Sequence, residues 1–168
     1  MRFELAQDID GPPGEVASTL ADPRYYELLA ELPNLGAPDV LSREVDGDVV
    51  RMQIRFRFAG ELSPAARAAI DPHKLTWVEH SEHDLAAREV RFTLKADHYG
   101  DRFKCRGGYR LLAAGPGTVR DAWGDLTVRA PLVGKLVEQA IVSGLREHLA
   151  AERSLIERFI SERTDQGG

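Results

Sequence analysis

PLVGKLVEQAIVSGLREHLAAERSLIERFISER, residues 131–163, decides the fold. Leu132, Val133, Leu136, Val137, Ala140, Ile141, Leu145, Leu149, Leu155, Ile156 and Phe159 recur at spacings of three and four, which lays a broad apolar stripe along one side of a helix. Lys135, Glu138, Arg146, Glu147, Arg153, Glu157 and Arg158 take the opposite side. Pro131 suits the first helical turn, where the amide it lacks would have had no partner in any case. At ~1.5 Å per residue the helix is roughly 45 to 50 Å long, well beyond the usual three or four turns. Burying so long a stripe calls for an equally long apolar partner. A coiled-coil arm is the alternative, but Ser143 and Gly144 interrupt the stripe and no steady a/d seam runs along it.

The residues upstream supply that partner as strands. RFELAQDI (2–9) alternates, with Phe3 and Leu5 on one face, until Asp10-Gly11-Pro12-Pro13-Gly14 stops it. A short helical segment follows over Glu15 to Ala21. Asp22 then caps a second helix that has Pro23 in its first turn and Tyr25, Tyr26, Leu28, Leu29 and Leu32 on its apolar side. Pro33 to Pro38 ends it. Val40 to Val45 leads through Asp46-Gly47-Asp48 into VVRMQIRFRFAG, a hairpin whose second arm puts Val50, Met52, Ile54, Phe56 and Phe58 on one face and Arg51, Gln53, Arg55 and Arg57 on the other. Such a clean period of two marks an antiparallel sheet with one face inward and one wet. Residues 61–70 read as a short helical excursion. Strands then resume over 74–83, 88–98, 101–114 and 118–129, and no rhythm of parallel strand and crossover helix appears. One domain spans 1–163, and residues 164–168 form a frayed tail.

Composition narrows the classes of function. The 168 residues suit one domain with a real core, and the formal charge of −5 argues against nucleic-acid binding through overall charge. No apolar run is long enough to insert in a membrane, and the start MRFELAQDID has no secretory h-region. The single cysteine forbids an intrachain disulfide and a cysteine-only metal cluster, so a cytoplasmic protein is expected. No HExxH, P-loop or dinucleotide fingerprint is present, and neither a metal nor a cofactor is expected.

The element order is strand, two short helices, about six to seven antiparallel strands and one long C-terminal helix, an α+β arrangement. It resembles the helix-grip fold of the START-like (SRPBCC, Bet v 1-like) superfamily. The landmarks are FELAQDI, Pro12-Pro13-Gly14-Glu15-Val16, Leu20-Ala21-Asp22-Pro23 and the long final helix. More narrowly, DPHKLTWVEH (71–80), Gly107-Gly108-Tyr109 and LVGKLVEQAIVSGLREHLAAE (132–152) resemble an uncharacterised, mostly actinobacterial family within that superfamily. The resemblance implies a curved sheet wrapped around the helix, with a cavity for a small hydrophobic molecule that is lipid, sterol-like or polyketide-like. It leaves three functions open: binding or carriage of such a ligand, catalysis of the cyclase, dehydratase or hydrolase type, and protein interaction with a filled interior. Monomer and homodimer are equally open.

The candidate ligand-binding residues on the concave face are Met52, Ile54, Phe56, Trp77, Phe92, Leu94, Phe103, Tyr109 and Leu126. Along one edge of the helix stripe they are Val137, Ile141, Gly144 and His148, with Gly144 opening space against the sheet. Any of the aromatic and aliphatic residues serves equally well as core. For catalysis the candidates are His148, His80 and Glu79. His80 and His83, three apart in a strand, face opposite sides and make a poor metal pair. Trp77 opens the more apolar set, so Leu75, Trp77, Glu79 and Ser81 are assigned to the inner face. Cys105 shares a face with Phe103 and Tyr109 and reads as a core thiol. Gly107-Gly108 marks a bend or a close approach. Arginines 51, 55, 57, 91, 102 and 106, with Lys95 and Lys104, gather on outward faces, as either a solvated surface or a basic one for an anionic partner.

Overall fold

A computed structural model describes residues 1–32, 36–59, 64–69, 71–132 and 134–166. The elements are β1 (Arg2–Ile9), α1 (Pro13–Leu20), α2 (Pro23–Leu28), β2 (Asp39–Asp46), β3 (Val49–Arg57), α3 (Pro64–Ala69), β4 (Thr76–Asp84), β5 (Glu89–Ala96), β6 (Phe103–Ala114), β7 (Gly117–Val128) and α4 (Gly134–Gln166). The strands form one antiparallel sheet in the order β1-β7-β6-β5-β4-β3-β2. α1 and α2 carry the chain from one edge of this sheet to the other, after which β2 to β7 run as a meander back to β1. This is the helix-grip α+β architecture.

Local chemistry sets the element ends as expected. Asp22 caps α2, accepting from the Arg24 amide at 3.0 Å, with Pro23 at the first helical position. Gly47 turns the β2–β3 hairpin at φ +58°. Gly107 and Gly124 face each other across β6 and β7. A Cβ at Gly107 would overlap the Trp123 carbonyl, and one at Gly124 would overlap the Phe3 ring. The two glycines are therefore where neighbouring backbone and the Phe3 ring come too close for a side chain. The core has two parts. One joins Val50, Met52, Ile54 and Phe56 to α1, α2 and the C-terminal half of α4, and the other joins Phe3, Leu5, Ala122, Leu126 and Leu149. Tyr25 packs edge-on against Tyr26 and Phe159, at centroid distances of 5.6 and 5.9 Å.

The long helix departs from expectation at both ends. It begins at Gly134, and Pro131 and Leu132 belong to a turn in which Leu132 has φ +67°. The Arg129 amide still donates to the Arg102 carbonyl at 2.7 Å, so the chain leaves the sheet too late to be helical at Pro131. At the other end residues 164–166 continue the helix instead of fraying. Val133, residues 33–35 and 60–63, Ile70 and Gly167-Gly168 lie outside the described residues. The stripe is buried unevenly: Leu149, Leu155, Ile156 and Phe159 are sealed, while Leu136 and Ile141 are exposed. Glu138, expected on the wet side, is buried, because its carboxylate accepts from the Val128 amide at 2.9 Å and lies 3.7 Å from the N-terminal ammonium. No helix among the described residues is long and apolar enough to cross a membrane.

Candidate functional site

Strand register places the concave face. Across β3, β4, β5 and β6 the inward rows run Ile54–Glu79–Leu94–Cys105 and Met52–Ser81–Phe92–Gly107. α4 packs chiefly on β1 and β7 at one side of this surface. Trp77, Glu79, Leu94, Phe103 and Tyr109, together with Val137 and His148 of the helix, all stay partly accessible.

A polar cluster occupies the deep end. Arg120 of β7 donates from Nη2 to Glu152 Oε2 of α4 at 2.5 Å and from Nε to Gln7 Oε1 of β1 at 2.8 Å. Gln7 in turn donates to the Leu149 carbonyl, and the Tyr25 hydroxyl donates to Glu152 Oε1 at 2.7 Å. The Arg120 guanidinium lies 5.3 Å from the centroid of the Tyr109 ring. Burial alone would raise the Glu152 carboxyl, but Arg120, His148 and Tyr25 outweigh it and hold Glu152 below the usual carboxylate range. Burial and nearby Arg120 depress His148, with Glu152 opposing. Arg120 and Glu152 thus cancel in charge.

Glu79 has no such counter-ion. Among the described residues it pairs with no lysine or arginine, and burial, reinforced by the negative Glu152, pushes its carboxyl up to about 7. The Ser81 hydroxyl and Arg120 only partly oppose this. Nearby His83 is buried and driven down to about 4, with Ser81 Oγ at 3.1 Å from its Nε2. Burial likewise pushes the Cys105 thiol up to about 12, which keeps it protonated.

The sequence candidates divide into three groups. Trp77, Glu79, Phe92, Leu94, Phe103, Tyr109 and His148 lie on the partly accessible inner surface, and Val137 of the helix is half-buried. Met52, Ile54, Phe56 and Leu126 share that face but are sealed in the core, where neighbouring strands and helices already fill the space around them. Phe56 stacks on Trp77 at 5.8 Å between centroids. Ile141 keeps 37% of its surface exposed, at the margin of the helix. A Cβ at Gly144 would meet nothing within 4 Å. His80 stands apart from the others. It points outward between Gln53 and Thr93, so it cannot act with Glu79 on the opposite face. It lines an outer polar groove of ≈ 340 Å³ together with Arg51, Glu82 and Arg91.

Arg120, Glu152, Gln7 and Tyr25 were not among the sequence candidates, although one signal reaches Arg120 and another Glu152. The inner set Ala122, Gly124, Leu126, Val128 extends back by two residues to Arg120. The helix edge Gly144, His148 extends forward by four to Glu152.

A second feature lies where the pairing of β5 with β6 ends. The β5–β6 ladder ends at Leu94–Cys105, and beyond it a cleft of ≈ 650 Å³ is lined by Leu94, Ala96, Phe103 and Cys105 together with Lys95, Lys104, Arg106, Asp125 and Thr127. Among the described residues no group of three or more histidine, cysteine or acidic side chains is placed to hold a metal.

Solved structures share this architecture. TTHA0849 from Thermus thermophilus superposes with a TM-score of 0.70 at 19% identity, covering 97% of this chain and 99% of that one. Zhui aromatase/cyclase from Streptomyces sp. R1128 gives 0.66 at 16% identity, covering 98% and 95%. A START superfamily protein from Mycobacterium smegmatis gives 0.52 at 17% identity, covering 96% and 97%. At these identities the likeness is one of fold alone. No curated protein matches the sequence. The chain belongs to the family described as "Protein of unknown function (DUF2505)", whose family model matches residues 4–160.

Proposed function

We propose that the protein binds a small amphipathic molecule between the concave sheet and α4. One observation carries this reading: Glu79, a carboxyl deep in the fold without a counter-ion, faces partly accessible Trp77, Leu94 and Tyr109 instead of a packed core. A fully filled interior rarely leaves a carboxyl unpaired, because its desolvation is costly. A ligand with an apolar body and a hydrogen-bonding group satisfies both features. Likeness of fold to an aromatase/cyclase and to a START superfamily protein is consistent with it.

The test is native mass spectrometry of protein purified gently from its own host, with titration of the neutral fluorophore N-phenyl-1-naphthylamine. Wild type is expected to take up one equivalent of fluorophore. Gly144→Leu, which extends into open space, weakens uptake about tenfold or more with the far-UV circular dichroism unchanged. No uptake by wild type, or equal uptake by the variant, overturns the reading.

Glu79 also favours a second reading, acid–base catalysis on a bound carbonyl compound. A carboxyl near 7 holds and releases a proton at neutral pH. In that case a co-purified ligand changes mass on incubation with wild type and not with Glu79→Gln.

A further inference from the structure

We infer that the cleft between β5 and β6 receives an anionic amphiphile, its apolar body passing Leu94, Phe103 and Cys105 and its charged head resting on Lys95, Lys104 and Arg106. The inference rests on the binding reading above and adds the head-group chemistry and the route.

Register and charge argue it together. Leu94, Phe103 and Cys105 belong to the inward rows, whereas Lys95, Lys104 and Arg106 alternate outward on the same two strands. Both sets line a single cleft at the place where the ladder stops, at Leu94–Cys105. Leu94 lies directly opposite Glu79. The cleft's volume of ≈ 650 Å³ lies within the ~300–1,000 Å³ range of small-molecule sites.

The outer sheet surface is otherwise balanced. Arg51 pairs with Glu82 at 2.9 Å, Arg55 with Asp97 at 3.2 Å, Arg57 with Asp39 at 3.1 Å and Arg91 with Glu89 at 3.0 Å. Among the described residues Lys95, Lys104 and Arg106 enter no ion pair, and Asp125, the acid beside them, is 3.8 Å from Arg2. Three cations without partners at the rim of an apolar slot, in a protein of net charge −5, fit a carboxylate, sulfate or phosphate head. A neutral head leaves them unused, and a cationic one is repelled.

A matched pair of fluorophores tests this. 8-Anilinonaphthalene-1-sulfonate carries the frame of N-phenyl-1-naphthylamine plus one sulfonate. Wild type is expected to bind the sulfonate about tenfold tighter at low salt, with the preference shrinking as salt screens it. Lys95→Gln/Lys104→Gln takes away two of the three cations, so the affinity ratio of sulfonate to neutral probe is expected to fall most of the way to unity. Decanoate and decyl phosphate displace the sulfonate probe, the better competitor naming the head, while decanol displaces it poorly. Equal affinity for the two fluorophores overturns the inference and leaves the binding reading standing. So does a sulfonate preference that survives the double variant, or displacement by decanol as strong as by the anions. Failure of wild type to bind either fluorophore overturns both.

Discussion

Burial shifts Glu79 toward its neutral form, so between its unfolded and folded pKa values the folded protein holds a proton that the unfolded chain has released. The stability this brings is complete below the unfolded value of 4.5 and is lost as pH rises through about 7. Glu79→Gln stays neutral throughout. Its stability relative to wild type should therefore grow between pH 4.5 and 7 and level off above, at on the order of 2 kcal/mol once partial accessibility is allowed for. Urea titrations at pH 5, 6, 7 and 8 read this difference, and a flat one would mean that Glu79 is solvated. Arg120 behaves differently, because it is matched. Arg120→Met strands the Glu152 carboxylate and should cost about 3–5 kcal/mol, whereas Arg120→Met/Glu152→Leu recovers most of that. A double variant no more stable than the single one would show that the pair contributes more than mutual neutralisation.

Between strands, Gly107 lets β6 lie close against β7, and Gly124 leaves room on β7 for the Phe3 ring of β1. The obstacles to added side chains differ in kind. At Gly107 a methyl meets backbone, the Trp123 carbonyl and the Gly124 Cα, and at Gly124 it meets chiefly the Phe3 ring. Gly107→Ala should cost about 2–3 kcal/mol in any background, whereas Gly124→Ala should cost clearly less in a Phe3→Ala background than in wild type. Thermal denaturation of the four single and double variants reads the coupling. Gly107 was visible in the sequence, as part of Gly107-Gly108, because strand interiors rarely tolerate glycine, just as alternation in VVRMQIRFRF placed β3 and Asp46-Gly47-Asp48 placed its turn; Gly124 was not singled out. The start of α4 was not visible. Its apolar spacing continues back through Leu132, and only the tertiary hydrogen bond from Arg129 to Arg102 shows that the chain is still leaving the sheet. The buried cluster was hidden for a related reason. Glu138 read as solvent-facing, and Gln7, Arg120 and Glu152 drew no reading as interior groups, because a polar side chain becomes one only when β1, β7 and α4 bring its partners together.

Across the whole molecule, α4 is held more tightly along its C-terminal half, although toward Gly134 the buried Glu138 carboxylate still accepts from the Val128 amide. From Leu149 onward it contributes Glu152, Leu155, Ile156 and Phe159 to the interior, and Arg158 and Arg163 reach Glu31 at 2.6 Å and Glu15 at 3.2 Å. Toward Gly134 it presents Leu136 and Ile141 to solvent and has open space at Gly144. Elements with few buried apolar contacts open at lower free energy than the core, so amide exchange should divide the helix. Protection over 136–144 should fall below that over 149–159 by about two orders of magnitude, a gap of roughly 2 to 3 kcal/mol in opening free energy. A ligand seated between sheet and helix contacts the weak half and should raise its protection while leaving the anchored half unchanged. Exchange measured with and without N-phenyl-1-naphthylamine separates the possibilities. Uniform protection along α4 would mean that the helix moves as one rigid body. Protection gained only at β2 and β3 would place the fluorophore on the outer groove beside His80 instead of beneath the helix.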